Sequence, residues 1–171
     1  MDPRVRSTVT LAVLAVLLVG GALWGLNAVT APFPGSGEDE EAPLCTVRPV
    51  AVGDEITPGD VTVSVFNGGA GDGAAGQTLG RLERRGFGVG ETGNAPQRVP
   101  RAQVWTPDRG DAAAVLVASH LGAEIVEREG LGVGTTVVVG PELDGLRRGL
   151  RSTTVEVDGT VCSPPSSATG P

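Results

Sequence analysis

The sequence predicts an α+β sandwich, two helices laid on one face of a mixed sheet, preceded by one transmembrane helix. Three observations predict it. Valine-rich and β-branched runs recur between residues 61 and 139. Two alanine-rich segments between them carry apolar residues at helical spacing. An apolar stretch of 18 residues, Val9 to Leu26, comes before all of it.

That first stretch suits a ~30 Å hydrocarbon layer. No charged side chain occurs from Ser7 to Gly37. Arg4 and Arg6 precede the apolar run, and Glu38, Asp39, Glu40 and Glu41 follow it. The basic side stays in the cytoplasm, so the remainder faces outward. A cleaved signal peptide is the competing reading. Val29-Thr30-Ala31 resembles a cleavage site, but Pro32 directly after the cut is unfavourable, and the run is long for a signal. The expected organisation is a cytoplasmic tail over 1–8, an anchor over 9–31 and an acidic disordered stalk over 32–44. An extracytoplasmic domain over 45–162 and a disordered tail over 163–171 complete it.

Residues 32–171 hold 19 acids and 11 arginines, a net charge of −8, and the chain has no lysine. That balance opposes nucleic-acid binding. Cys45 and Cys162 bracket the domain, and an even pair in an oxidising compartment reads as a disulfide. A metal site has too few ligands in two cysteines and one distant histidine.

The elements follow in order. Thr46 to Val52 is an edge strand or an extended lead-in. Val61, Val63 and Val65 alternate with Thr62, Ser64 and Phe66, so this strand has one face more buried than the other. Glycines 68, 69, 71 and 73 end it in a turn. A helix follows from about Ala74 to Arg85, with Ala75, Leu79 and Leu82 as its stripe and Gly86 past its end. Phe87 to Thr92 and Ala102 to Thr106 are strands. Asp111 caps a helix over Ala112–Leu121, whose core face is Ala114, Val117, Ala118 and Leu121; Gly122 stops it. Ala123 to Glu127 is a strand or an extended run, Thr135 to Val139 is a strand, and Pro141 to Leu150 holds a short helical turn. Thr153 to Val161 is a hairpin about Asp158-Gly159. The order β-α-β-β-α-β on a four-stranded sheet is the ferredoxin-like, split βαβ arrangement with an added C-terminal hairpin.

Little of this points to catalysis. Gly71, Gly73 and Gly76 spell G-x-G-x-x-G, with Glu91 about twenty residues on, the outline of a dinucleotide fingerprint. The domain ends too soon for a doubly wound fold, and no cofactor is expected. His120 is the single histidine and reads as a helix-end residue; Ser119, its neighbour, faces elsewhere. Arg109-Gly110-Asp111 spells an adhesion tripeptide but doubles as turn and cap. No catalytic or metal residue is assigned. The candidate contact surface is the glycine turn, Asn67, Gly68, Gly69, Gly71, Gly73 and Gly76, whose amides suit a carboxylate or phosphate.

Val63, Val65, Asn67, Gly68, Gly73, Ala75, Leu79, Gly86 and Phe87 resemble the opening of the LytR C-terminal domain family. The likeness continues through Gly110, the helix Ala112 to Leu121 and Val137 to Gly140, covering roughly residues 60 to 145. In many members this domain follows a phosphotransferase that attaches glycopolymers to peptidoglycan. Here the anchor runs almost directly into the module, as in the stand-alone, membrane-anchored actinobacterial form. The resemblance implies a non-enzymatic cell-envelope role at the outer face of the membrane. The implied partners are a peptidoglycan-linked glycan or an envelope protein. The alternative it implies is an enzyme or accessory subunit in glycopolymer attachment.

Overall fold

A computed structural model describes residues 14–22 and 43–165. The chain divides into two units, Met1–Ala42 and Pro43–Pro171. In the first, the described residues form a helix, α1, over 14–22. Leu14, Val16, Leu17, Leu18 and Val19 on it are all exposed. Among the described residues, no helix is long and apolar enough to cross a membrane. The expected anchor over 9–31 is described only within 14–22. Its flanks, the tail over 1–8, the stalk as far as residue 42 and residues 166–171 lie outside the described residues.

The second unit carries nine strands among the described residues. β1 (Thr46–Val50) and β2 (Glu55–Ile56) lead through a 3-10 turn, Pro58–Asp60, to β3 (Thr62–Asn67). Then come α2 (Ala74–Glu83), β4 (Gly88–Asn94), β5 (Gln103–Thr106), α3 (Ala112–Leu121) and β6 (Glu124–Glu127). β7 (Thr135–Val139), β8 (Thr153–Thr154) and β9 (Gly159–Ser163) complete it.

From β3 to β6 the chain order is the expected β-α-β-β-α-β, but the sheet is not ferredoxin-like. It has five strands in the order β4-β3-β7-β5-β6. In a split βαβ, another strand separates the two that a helix joins. Here α2 joins neighbours, β3 parallel to β4, and α3 joins neighbours, β5 parallel to β6. β7 lies between these two β-α-β pairs, parallel to β3 and antiparallel to β5. Its sequence, TTVVV, is buried along its whole length, which suits a central strand covered on both faces.

Both helices lie on one face. Val63, Val65, Val104, Val137 and Val139 join Ala75, Leu79, Leu82, Ala114, Val117 and Leu121 in one apolar cluster. Leu82 is fully buried, so trimming it to alanine costs about 2–5 kcal/mol. The alternation in β3 predicts one drier face, yet Thr62 to Phe66 are all buried. The second face carries its own cluster of Phe66, Val99, Trp105 and Val138, with Ala95 and Leu131 packed on it from loops. Ser64 Oγ donates to Val133 O at 2.6 Å, tying the 128–134 loop over this face.

The C-terminal hairpin does not form. β8 pairs with β2 and β9 pairs with β1, both antiparallel. The Asp158-Gly159 signal is overridden because the two ends of the unit are joined covalently. Val47 stands opposite Cys162, and Cys45 is bonded to Cys162 with their Cα atoms 5.4 Å apart. Arg48 adds an ion pair to Asp60 at 2.7 Å and donates to Ser163 Oγ at 2.8 Å. Burial pushes the Asp60 carboxyl up, but hydrogen bonds from Thr57 and the Arg48 guanidinium outweigh it and hold the group below its ordinary value.

The expected helical turn within Pro141 to Leu150 is also absent; the segment is irregular. It wraps α3, with Leu143 and Leu146 packed on the main cluster. That wrapping buries α3 on more sides than its predicted stripe, including Ala112, Ala113, Leu116 and His120. The caps are as the sequence indicates: Asp111 accepts from Ala113 N at 2.9 Å, and Gly122 ends the helix in the left-handed region at φ 61°.

Candidate functional site

β4, β3 and β7 run parallel, so their carboxyl ends share one edge of the domain. In open α/β sheets that edge is where ligands are usually held. Here it carries an open groove of about 410 Å³. Asn67, Gly68, Gly69 and Ala70 form one wall, and residues 94–98 the other. Asn94, Gln97 and Arg98 supply exposed side-chain donors and acceptors. No lining residue is acidic and none is a histidine or cysteine.

The structure divides the six residues proposed from the sequence. Asn67, Gly68 and Gly69 line the groove; Gly71, Gly73 and Gly76 do not. Asn67 spends its side chain inside the turn. Its Nδ2 donates to Ala70 O at 3.2 Å and Gly71 O at 3.3 Å, and its Oδ1 accepts from Gly69 N at 3.0 Å. Gly68 N donates to Val139 O at 2.8 Å, and Gly68 O accepts from Val99 N at 2.8 Å. The first amides of the turn therefore hold the turn together. Gly68 is small because a Cβ there would stand 2.6 Å from Val138 Cγ1 and 2.8 Å from Val99 Cγ2. Gly73 caps α2 at φ 73°.

The dinucleotide outline is not assembled. Glu91 sits at the middle of β4, its backbone amide donating to Ser64 Oγ at 3.0 Å. A Cβ on Gly132 would meet the Glu91 carboxylate 2.6 Å away, which puts that side chain beside the loop over the second sheet face. The glycine turn is at the carboxyl end of β3 instead. The Arg109-Gly110-Asp111 tripeptide is likewise absorbed: Arg109 pairs with Glu127 at 3.6 Å, and Asp111 caps α3. Burial raises the Asp111 carboxyl above its ordinary value, against hydrogen bonds from Ala113, Ala114 and Thr106; nearby Asp108 adds to the rise.

Sequence reasoning missed what His120 does. It is 5% exposed. Its Nε2 lies 2.8 Å from Leu150 O, an acceptor, so that nitrogen carries the proton. Nδ1 then accepts from Arg85 Nη1 at 3.0 Å. Phe87 meets the ring edge-on, centroids 5.0 Å apart. Burial lowers the His120 pKa and the Arg85 charge adds to this, while the Leu150 carbonyl opposes. Ser119 Oγ has other partners, donating to Leu116 O at 2.6 Å and accepting from Leu150 N at 3.0 Å. The pair is a latch for the 147–151 segment, not a nucleophile with its base. The available signal was one histidine in an otherwise alanine- and valine-rich helix, with an arginine-rich segment well before it and another well after it in the chain.

Comparison with known proteins gives three results. The family model described as LytR cell envelope-related transcriptional attenuator matches residues 60–142. No curated protein matches. Among solved structures, the chain is similar to the soluble domain of a conserved hypothetical secreted protein (an Rv2700 ortholog) from Mycobacterium marinum. That match has 21% identity and a TM-score of 0.47, covering 57% of this chain and 78% of that one.

Proposed function

Taking as premise that residues 60–142 are a LytR C-terminal domain, we propose that this chain is a non-enzymatic, membrane-anchored module of the cell envelope. The glycan of the cell wall is its ligand, bound near the outer face of the membrane. One observation carries this reading: the groove at the carboxyl ends of β3 and β4 offers side-chain amides and a guanidinium without a carboxylate or imidazole. Such a lining hydrogen-bonds sugar hydroxyls and amides and lacks the acid–base pair that hydrolysis needs. The Cys45–Cys162 disulfide supports an oxidising compartment outside the cytoplasm. An exposed helix with apolar residues all round, α1, supports an anchor in lipid.

The test is co-sedimentation of the full chain, in neutral detergent, with purified peptidoglycan sacculi. Saturable retention that Asn94→Ala/Gln97→Ala weakens about tenfold supports the reading; the figure is that of two lost hydrogen bonds. No retention, or release of soluble wall fragments by the purified chain, contradicts it.

A further inference from the structure

We infer that the domain carries a second, cationic site, which takes a phosphate or phosphodiester group. Six of the 11 arginines in residues 43–165 fall in two short segments, Arg81, Arg84 and Arg85 in one and Arg147, Arg148 and Arg151 in the other. The fold brings these segments together. Arg85, Arg148 and Arg151 line one concavity of about 720 Å³, with Pro58 and His120 as its uncharged walls.

The cluster is uncompensated although carboxylates are plentiful. The same residues 43–165 include 15 acids. Arg48, Arg101 and Arg109 each take one, in pairs with Asp60, Glu142 and Glu127. Among the described residues, none of the three groove arginines has a carboxylate within ion-pair distance. The nearby acid Glu55 accepts from the Ser152 hydroxyl instead. Like charges gathered without counter-charge oppose folding unless a ligand neutralises them. Three guanidiniums exceed what one carboxylate balances, and their planar forks fit the oxygens of a phosphate.

The groove is also held in shape. Residues 147–151 have no regular structure, yet three hydrogen bonds fix them to the end of α3. Arg147 N donates to His120 O at 2.7 Å, His120 Nε2 to Leu150 O at 2.8 Å, and Leu150 N to Ser119 Oγ at 3.0 Å. Arg85 Nη1 is held by His120 Nδ1 and by Arg147 O. Gly149, at φ 64°, lies so close on the imidazole that a Cβ would overlap the ring. A loop clamped this way presents Arg148 and Arg151 at little ordering cost, which is how preorganised sites gain affinity.

Isothermal titration of the full chain in neutral detergent at low salt tests this. The probes are inorganic phosphate, dihexanoyl phosphatidylglycerol and, as zwitterionic control, dihexanoyl phosphatidylcholine. The expected result is saturable phosphate binding that weakens with added sodium chloride. It weakens about tenfold or more in Arg148→Gln/Arg151→Gln and is unchanged in Arg101→Gln. The double variant changes only exposed side chains, and its melting temperature reports that it is folded. If phosphatidylglycerol binds more tightly than phosphate and loses that in the double variant, the group comes from a lipid; if only phosphate binds, it comes from a soluble or wall-borne ester. No phosphate binding, or equal losses in the double variant and Arg101→Gln, overturns the site.

Discussion

Two concave regions of this domain were not equally visible in its sequence. The glycine turn after β3 announces itself as a string of exposed amides, and the fold then uses several of them. Asn67, Gly68 and Gly69 make six hydrogen bonds within the turn and to its neighbours, leaving the side chains of Asn94, Gln97 and Arg98 as the groove's free chemistry. The arginine groove shows in the sequence only as two separate arginine-rich segments. It is assembled from the end of α2 and a loop more than sixty residues later, clamped by a histidine that looks ordinary on its helix. A motif reports where backbone is free to bend; it does not report whether the bent backbone has donors left over.

Substitutions sharpen this contrast, beginning with the largest effect. Gly149→Ala forces a Cβ into the His120 ring from a left-handed backbone. Overpacking and backbone strain together cost about 3 kcal/mol, read as a lower midpoint in urea unfolding. A midpoint equal to wild type would mean that the clamp on the arginine loop is loose. Next is Asn67→Ala, which removes the side chain that organises the glycine turn. The carbonyls and amide it frees are near solvent, so the loss is about 1 kcal/mol. A loss of several kcal/mol would give the turn a structural weight that its exposure does not support.

The third effect is on pH dependence. The folded pKa of His120 lies below its ordinary value of 6.5. Above that value both folded and unfolded chains hold it neutral. As pH falls through 6.5 the unfolded chain binds the proton first, so wild-type stability declines until the folded pKa is reached. His120→Gln removes this decline, and melting curves between pH 7 and 5 compare the two. Parallel pH profiles would show that the imidazole is not the neutral latch described. The smallest effect is Gly71→Ala. A Cβ there meets nothing within 4 Å, so stability moves by less than about 0.5 kcal/mol, in contrast to Gly149. A large loss would restore the glycine turn as the more constrained region.

Much of the fold was legible because local signals agreed. The alternation in β3, the stripe Ala75–Leu79–Leu82, the Asp111 cap and the Gly122 stop each depend on residues near in the chain. What was not legible depended on distant ones. β7 reads as a good strand anywhere, and only packing places it between β3 and β5. The turn signal at Asp158-Gly159 is real, but β9 finds a better partner in β1 once Cys45 and Cys162 are joined. The apparent polar face of β3 is buried because loops at 95–100 and 128–134 cover it, and loop packing leaves no period in a sequence. The arginine segments were visible as composition; their meeting was not.

Amide-proton NMR of the full chain in detergent, titrated with phosphate-free peptidoglycan fragments, decides whether the groove holds wall glycan. Saturable shifts are expected at Gly69, Ala70, Asn94, Gln97 and Arg98, with Gly76 and Gly149 unmoved and the fragments unaltered. Absence of shifts in that groove, or conversion of the fragments, would contradict a non-enzymatic glycan site there.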